Sequence, residues 1–170
     1  LFLKWVDEYA PHIIHLHNLH GYYLNYPILF KYLRDEFKGR IVWTFHDCWP
    51  ITGHCPYFVI AKCHKWKDKC NKCPNKGIYP ISWFMDSSEY NYRLKKKLFS
   101  GFENMIITTP SEWMKSNIEK SFLKDTKIVV VPNGIDFDVF YPRDNIEAIR
   151  KYNIPQNKKM ILGVASIWEE

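Results

Sequence analysis

The sequence lacks long apolar runs, internal repeats and low-complexity segments. No stretch of its 170 residues approaches the roughly 18 to 20 consecutive apolar residues of a membrane-spanning helix, which excludes such a helix within these residues. The charged and then apolar pattern of a secretory signal peptide is not seen either. The absence of repeats and biased segments excludes a solenoid and a low-complexity chain. The sequence is therefore interpreted as that of a globular domain.

The composition supports a folded protein with anionic partners. Hydrophobic residues make up 46%, charged residues 25% and aromatic residues 17% of the chain, which supplies a core and ring-lined clefts. The length suits one domain, or one domain and part of another. A net charge of +6 favours phosphates, nucleic acid or lipid headgroups without choosing among them.

Short apolar runs alternate with amphipathic stretches along the chain. Continuous apolar strands that alternate with helices predict an α/β fold, a parallel sheet covered on both faces. Strands are predicted at 12–16, 41–45, 104–109 and 127–131, and the beginning of another at 158–164. Helices are predicted at 25–37, 83–99, 111–122 and 144–152.

Two strand ends carry the residues with the clearest chemical potential. His46 and Asp47 follow the second predicted strand, and α/β folds bind ligands in the crevice beyond the carboxyl ends of their strands. Residues 131–136 (VPNGID) end the fourth strand with a tight turn, because proline cannot continue a central strand and Asn-Gly tolerates left-handed backbone angles. From the residues alone, a plain turn remains an alternative for the second segment.

Four ordered motifs resemble those of glycosyltransferase family 4, whose members are retaining enzymes of the GT-B fold. The motifs are His15-x-His17, residues 44–47 (TFHD), residues 109–113 (TPSEW) and residues 131–136. The form HDCWP at 46–50, followed by GHC at 53–55, resembles a subgroup associated with bacterial surface and capsular polysaccharide synthesis.

The resemblance implies two Rossmann-like domains that face a cleft. Residues 1–142 would be the N-terminal, acceptor-side domain without its first strands, carrying a cysteine-rich insertion at 48–80. Residues 143–170 would be a linker and the first strand of a truncated nucleotide-sugar-binding domain, with residues 163–166 (GVAS) in that strand.

The resemblance also implies roles for particular residues. His46 would be the catalytic residue beside the donor sugar, where an imidazole can both donate and accept a hydrogen bond near neutral pH. The implied substrate-binding residues are His15, His17, Asp47, Ser111, Glu112, Asn133, Gly134 and Asp136. Some of these residues also have a purely structural interpretation. Asp47 could cap the following loop, and one of the two residues His15 and His17 could face the core.

The implied activity is that of a hexosyltransferase that moves a sugar from a nucleotide-sugar to a glycan or lipid-linked acceptor with retention of configuration, without a catalytic metal. The expected location is the cytoplasm of a bacterium, peripheral to the inner face of an anionic membrane. Ser166 stands where arginine is common in the family, and the expected Lys-Gly and paired glutamates do not occur up to Glu170. We therefore expect the 170-residue piece to be inactive alone.

Four cysteines lie close together in the predicted insertion. Cys55, Cys63, Cys70 and Cys73 have the spacing C-x7-C-x6-C-x2-C, and the last pair is typical of a zinc knuckle. We expect a structural zinc ion there, with disulfides and free thiols as alternatives. Potential substitute ligands are His54 and His64, and Cys48 is expected to be a buried thiol.

The same insertion is rich in lysine. Its basic residues are Lys62, Lys65, Lys67, Lys69 and Lys72, with Trp66 among them. Lysine side chains with an aromatic ring among them can bind single-stranded nucleic acid through charge and stacking. One alternative function is therefore a nucleic-acid-binding module stabilised by zinc. Another is a non-catalytic scaffold. A solvated basic loop is the simpler interpretation and no nucleic acid is expected. The same charges could approach anionic lipid headgroups.

Overall fold

The computed structural model describes residues 2–144 and 146–164. The chain divides into two compact units, Leu1–Asn133 and Gly134–Glu170. This division comes earlier than the domain boundary predicted after residue 142, and the two-domain assignment stays a prediction.

The first unit is built on a four-stranded parallel sheet with the order β1-β2-β3-β4. Its strands are β1 (Ile13–Leu16), β2 (Arg40–Thr44), β3 (Met105–Thr109) and β4 (Lys127–Val130). Leu16 pairs with Trp43, and Thr44 pairs with Thr108. Because all strands run in one direction, their carboxyl ends meet at one edge of the sheet. The predicted α/β, Rossmann-like class is confirmed.

Helices precede or connect the strands. They are α1 (Phe2–Tyr9), α2 (Tyr26–Asp35), α3 (Ser88–Phe99) and α4 (Glu112–Ile118). The Asn25 side chain accepts the Ile28 N–H at the start of α2, and Ser111 caps α4 in the same way. The sequence interpretation missed α1 and began α3 five residues too early, at 83 instead of 88.

An aromatic cluster fixes α2 and α3 against the sheet. Phe30 of α2 lies 5.1 Å from Trp43 of β2 and 4.3 Å from Phe99 of α3, measured between ring centroids. Trp43 and Phe99 meet edge to face at 5.0 Å. All three side chains are buried, and such pairs stabilise beyond their buried area by about 0.5–1.5 kcal/mol each. This packing holds the end of β2, where His46 follows.

The second unit contains one short helix, α5 (Ile146–Lys151), within the part of the chain that is described. The strand predicted at 158–164 is not found in those residues. Ile161 and Leu162 are 97% and 80% exposed, so these apolar side chains have no packed layer that would favour a strand. Residues 165 and 166 of the predicted strand lie outside the described residues. No helix in the described ranges combines the length and apolar character needed to cross a bilayer.

Candidate functional site

Three histidines form a row at the carboxyl edge of the sheet. His17 Nδ1 lies 2.9 Å from His46 Nε2, and His15 Nε2 lies 2.7 Å from Thr44 Oγ1. The Thr44 hydroxyl is in turn 2.6 Å from the Thr108 hydroxyl on β3. β1 and β2 are adjacent parallel strands, so residues that lie 29 positions apart in the sequence become hydrogen-bonded neighbours.

His15 and His17 both lie on the solvent side of the site. The expectation that one of them faces the core is wrong, since both are exposed and their rings are 4.2 Å apart. The reason is the two-residue period of a strand, which points residues i and i+2 to the same face.

The histidine row disfavours protonation of its central member. Partial desolvation of its ring lowers the pKa of His17, and the neighbouring His15 and His46 rings lower it further. A neutral imidazole keeps one ring nitrogen as an acceptor and the other as a donor. The row can therefore both donate a hydrogen bond to a hydroxyl group and accept one from it.

Asp47 is buried and uses both carboxylate oxygens within the protein. Oδ1 accepts the Trp49 N–H at 2.8 Å, as the capping interpretation predicted, and Oδ2 lies 2.7 Å from His20 Nε2. His20 Nδ1 is 3.2 Å from the hydroxyl of Tyr79. Asp47 thus fixes the orientation of His20 and the turn after His46.

His20 is a site residue that the sequence interpretation missed. It lies in the loop after β1, just as His46 lies after β2. The available signal was a further histidine shortly after the first strand, which the interpretation treated only as part of a loop. Its carboxylate partner lies 27 positions away, and this pairing could only be seen once the strands were aligned.

Ser111 and Glu112 follow β3 at the same edge. The Ser111 hydroxyl accepts the Met114 N–H at 3.3 Å, while its carbonyl accepts the Thr109 hydroxyl at 3.2 Å. Glu112 begins α4 and is exposed. The serine thus has a structural role at the start of the helix, and the glutamate is available to a ligand.

The remaining predicted residues lie around the division between the two units. Asn133 is exposed at the end of the first unit, and Gly134 and Asp136 belong to the second. Asp136 Oδ1 accepts the Asp138 N–H at 2.9 Å, which shapes the local turn. The substrate-binding roles of these three residues stay predictions.

The four predicted metal ligands line one small cavity of about 20 Å³. None of the five cysteines, all of which lie in the described residues, forms a disulfide. Among residues 2–144 and 146–164, no three His, Cys, Asp or Glu side chains already stand in the geometry of a metal site. His54 lines the same cavity, whereas His64 does not. Cys48 is buried as predicted, and burial raises the pKa of its thiol to about 12.

Comparisons with known proteins agree with the α/β fold. The model of Glycosyltransferase Family 4 matches residues 1–139. The chain is 35% identical over 75 residues to the candidate colanic acid biosynthesis glycosyl transferase WcaC of Escherichia coli (strain K12), covering 42% of this chain and 18% of that protein. It is 33% identical over 66 residues to the processive diacylglycerol alpha-glucosyltransferase of Acholeplasma laidlawii, covering 38% of this chain and 20% of that protein.

The chain therefore spans about a fifth of the length of these curated relatives. No solved structure matches it significantly. The family model, in contrast, extends over the whole sheet and all of the strand-end residues from His15 to Asp136. The chain belongs to glycosyltransferase family 4.

Proposed function

We propose that the chain is the acceptor-side part of a retaining hexosyltransferase that moves a sugar from a nucleotide-sugar to a glycan or lipid-linked acceptor. The observation that carries the proposal is the hydrogen-bonded pair of His17 and His46 at the carboxyl edge of the sheet. Polar, orientable groups at this edge are placed where α/β folds bind their ligands. The membership of glycosyltransferase family 4 supplies the class of reaction.

His46 would act by hydrogen bonding to a hydroxyl of the donor sugar. Its Nε2 is occupied by His17 Nδ1 at 2.9 Å, which fixes the ring and leaves Nδ1 for the substrate. His15, held by Thr44 at 2.7 Å, would orient a hydroxyl of the acceptor. Fixed hydrogen-bonding groups of this kind favour a transition state because they need no reorganisation during the reaction.

An apolar cavity beside the histidine row favours an acceptor with a lipid part. It has a volume of about 670 Å³ and is lined by His15 and His17 together with apolar and aromatic side chains. The principal apolar lining residues are Trp5, Val6, Tyr9, Leu16, Leu19 and Leu29. Colanic acid biosynthesis and diacylglycerol glucosylation, named for the two relatives, agree with a surface polysaccharide or glycolipid product.

Contact with an anionic membrane at the cytoplasmic face would bring the enzyme to such an acceptor. Trp83, Phe84 and Met85 are 81%, 93% and 76% exposed, and they follow the lysine-rich insertion in sequence. Aromatic side chains favour the membrane interface, and lysines are attracted to anionic headgroups. We expect the protein to cosediment with phosphatidylserine vesicles, and we expect this binding to weaken as the salt concentration rises. The W83S/F84S variant should lose the binding. Binding to oligonucleotides instead would favour the nucleic-acid alternative.

The activity is tested in the complete reading frame that contains this chain. Transfer from a panel of nucleotide-sugars to extracted lipid and glycan acceptors is followed by mass spectrometry, and the anomeric configuration is assigned by NMR. His46→Ala should reduce kcat by at least about 100-fold, the scale of losing one positioned transition-state donor. His12→Ala, an exposed histidine before β1, is the matched control. An inverted product would refute retention, and full activity of His46→Ala would refute the assigned role.

A further inference from the structure

The cavity that the four cysteines line is also surrounded by polar atoms without partners. Three buried side-chain atoms in the described part of the chain lack a hydrogen-bond partner: His54 Nε2, Trp66 Nε1 and Ser88 Oγ. All three residues line this one cavity. Buried polar groups are nearly always satisfied in native proteins, so three unsatisfied atoms in one place point to a missing occupant.

The chemistry of these atoms indicates the charge of that occupant. Trp66 Nε1 can only donate a hydrogen bond, and the Ser88 hydroxyl can donate one. Gly53 already donates its N–H to Cys70 Sγ at 3.2 Å. A donor that reaches a sulfur atom, as the Gly53 N–H does, stabilises a thiolate more than a thiol. Thiolates buried together repel one another unless a cation binds them.

We propose that Cys55, Cys63, Cys70 and Cys73 bind one structural zinc ion. Four thiolates are a common ligand set for structural zinc, with tetrahedral Zn–S distances of about 2.3 Å. Each thiol releases its proton to solvent as its sulfur coordinates the ion. The sulfurs do not yet have coordination geometry, so binding draws them towards the centre of the small cavity.

The hydrogen-bond donors around the cavity form an outer layer of the zinc site. The Trp66 N–H and the Ser88 hydroxyl would bond to zinc-bound sulfurs, as the Gly53 N–H does to Cys70. Such outer donors orient the ligands and balance part of their negative charge. Lys95 lies beside this layer, because its Nζ donates to the carbonyl of Thr52, which also lines the cavity.

The zinc ion would connect the insertion to the histidine edge. Gly53 donates its N–H to Cys70 Sγ, and a Cβ on Gly53 would meet the backbone of Ser88, the first residue of α3. Tyr79, which lies 3.2 Å from His20, is carried by the same 48–80 segment. We expect the metal to order the 48–80 segment that carries Tyr79, and this role does not depend on the sugar or acceptor.

Metal analysis of the full-length chain, freshly purified under reducing conditions, is the direct test. We expect one zinc ion per chain and four thiols protected from alkylation until a chelator is added. Replacement by Co²⁺ should give the intense thiolate-to-metal absorption of a tetrahedral four-sulfur site. A metal-free protein with four reactive thiols would overturn the proposal, and so would two intramolecular disulfides found by mass spectrometry in the same preparation.

Single substitutions distinguish the four proposed zinc ligands from Cys48, the remaining cysteine. Cys70→Ser should lose the zinc ion and lower the Tm by several degrees, whereas Cys48→Ala should keep one zinc ion, since Cys48 is buried beside Met114 instead. If Cys70→Ser does not fold, the cobalt spectrum of the wild-type chain decides the question. Retention of a full zinc ion by a folded Cys70→Ser would refute Cys70 as a ligand.

Discussion

His17 and His46 lie on different strand ends, and their imidazole rings are joined by a 2.9 Å contact between Nδ1 and Nε2. The rings are nearly parallel, with 19° between their planes and 5.3 Å between their centroids. A hydrogen bond between two imidazoles requires that at least one of them be neutral. The protonation state of this pair therefore controls the geometry of the proposed site.

The pKa of His17 should lie below its ordinary value of 6.5, because partial desolvation and the two neighbouring histidines disfavour its charged form. Well above pH 6.5 His17 is neutral in both folded and unfolded chains, so it has no effect there on the pH dependence of stability. As the pH falls below 6.5, the unfolded chain binds the proton first and the folded state loses stability. The loss is complete below the lowered pKa. NMR titration of the His17 ring and urea unfolding at several pH values would measure both effects.

The two neighbours of His17 should contribute to different extents. His15 lowers the pKa of His17 more than His46 does, so the His17 titration midpoint should rise more in His15→Ala than in His46→Ala. His12→Ala, an exposed histidine outside the row, is the control and should leave the midpoint where it is. Equal midpoints in all three variants and the wild type would contradict the electrostatic coupling.

Removing the carboxylate of Asp47 should destabilise the chain. The Asp47→Ala change leaves the Trp49 N–H and His20 Nε2 without their partner at a buried position. Hydrogen bonds to charged groups contribute about 1.5–3 kcal/mol, so the free energy of unfolding should fall by about that amount. Asp47→Asn retains an acceptor for the Trp49 N–H and should cost less. Equilibrium unfolding in urea measures both, and an Asn variant as unstable as the Ala variant would refute the capping role.

The residue pattern predicted the sheet because each strand is a short, continuous apolar run between turns. The cap at Ser111 has a local signal, since a serine before an amphipathic stretch can accept a backbone N–H of the first helical turn. The equivalent cap at Asn25 was not predicted. Helix α1 was missed, although Phe2, Val6 and Tyr9 have helical spacing. Within Phe2–Tyr9 only Val6 is buried, and Trp5 and Tyr9 are largely exposed.

The sequence predicted most residues of the site but not which of them contact one another. The motif at 44–47 identified His46 and Asp47, yet the partners His17 and His20 depend on the register between β1 and β2. Likewise, the spacing of the cysteines predicted a cluster, but the unsatisfied atoms of Trp66 and Ser88 beside it could not be inferred from spacing. Long-range contacts of this kind are determined by the packing of the whole first unit.

A side chain at Gly53 should disrupt the insertion. A Cβ at this position would lie 2.0 Å from the carbonyl oxygen of Ser88 and 2.9 Å from the Cβ of Cys70, so backbone would have to move. We expect Gly53→Ala to lower the free energy of unfolding by about 1–3 kcal/mol or more, as overpacking does. Gly77→Ala in the same insertion is the control, because a Cβ there meets no described atom within 4 Å. Equal stabilities of the two variants, measured by urea unfolding, would contradict the close packing.

Lys95 is fully buried and makes its contacts with backbone and with an aromatic ring. Its Nζ donates to the carbonyls of Trp49 and Thr52 at 2.8 and 3.0 Å and lies 3.4 Å from the centroid of the Trp49 ring. No carboxylate in the described residues pairs with it at salt-bridge distance. Burial lowers the pKa of Lys95 well below its ordinary value of 10.5, although the ring and carbonyls favour the ammonium form.

This depressed pKa gives Lys95→Met a pH-dependent effect on stability with a definite sign. Between the lowered pKa and 10.5 the unfolded chain binds a proton that the folded chain does not, so wild-type stability rises with pH in that window. Methionine cannot titrate, and the stability of the wild type relative to Lys95→Met should therefore increase as the pH rises towards 10.5. Urea unfolding from pH 7 upwards measures the difference, with Lys97→Met on the exposed side of the same helix as the control. A difference that is constant with pH would show that Lys95 keeps its proton throughout, and that its carbonyl and ring contacts outweigh the cost of burial.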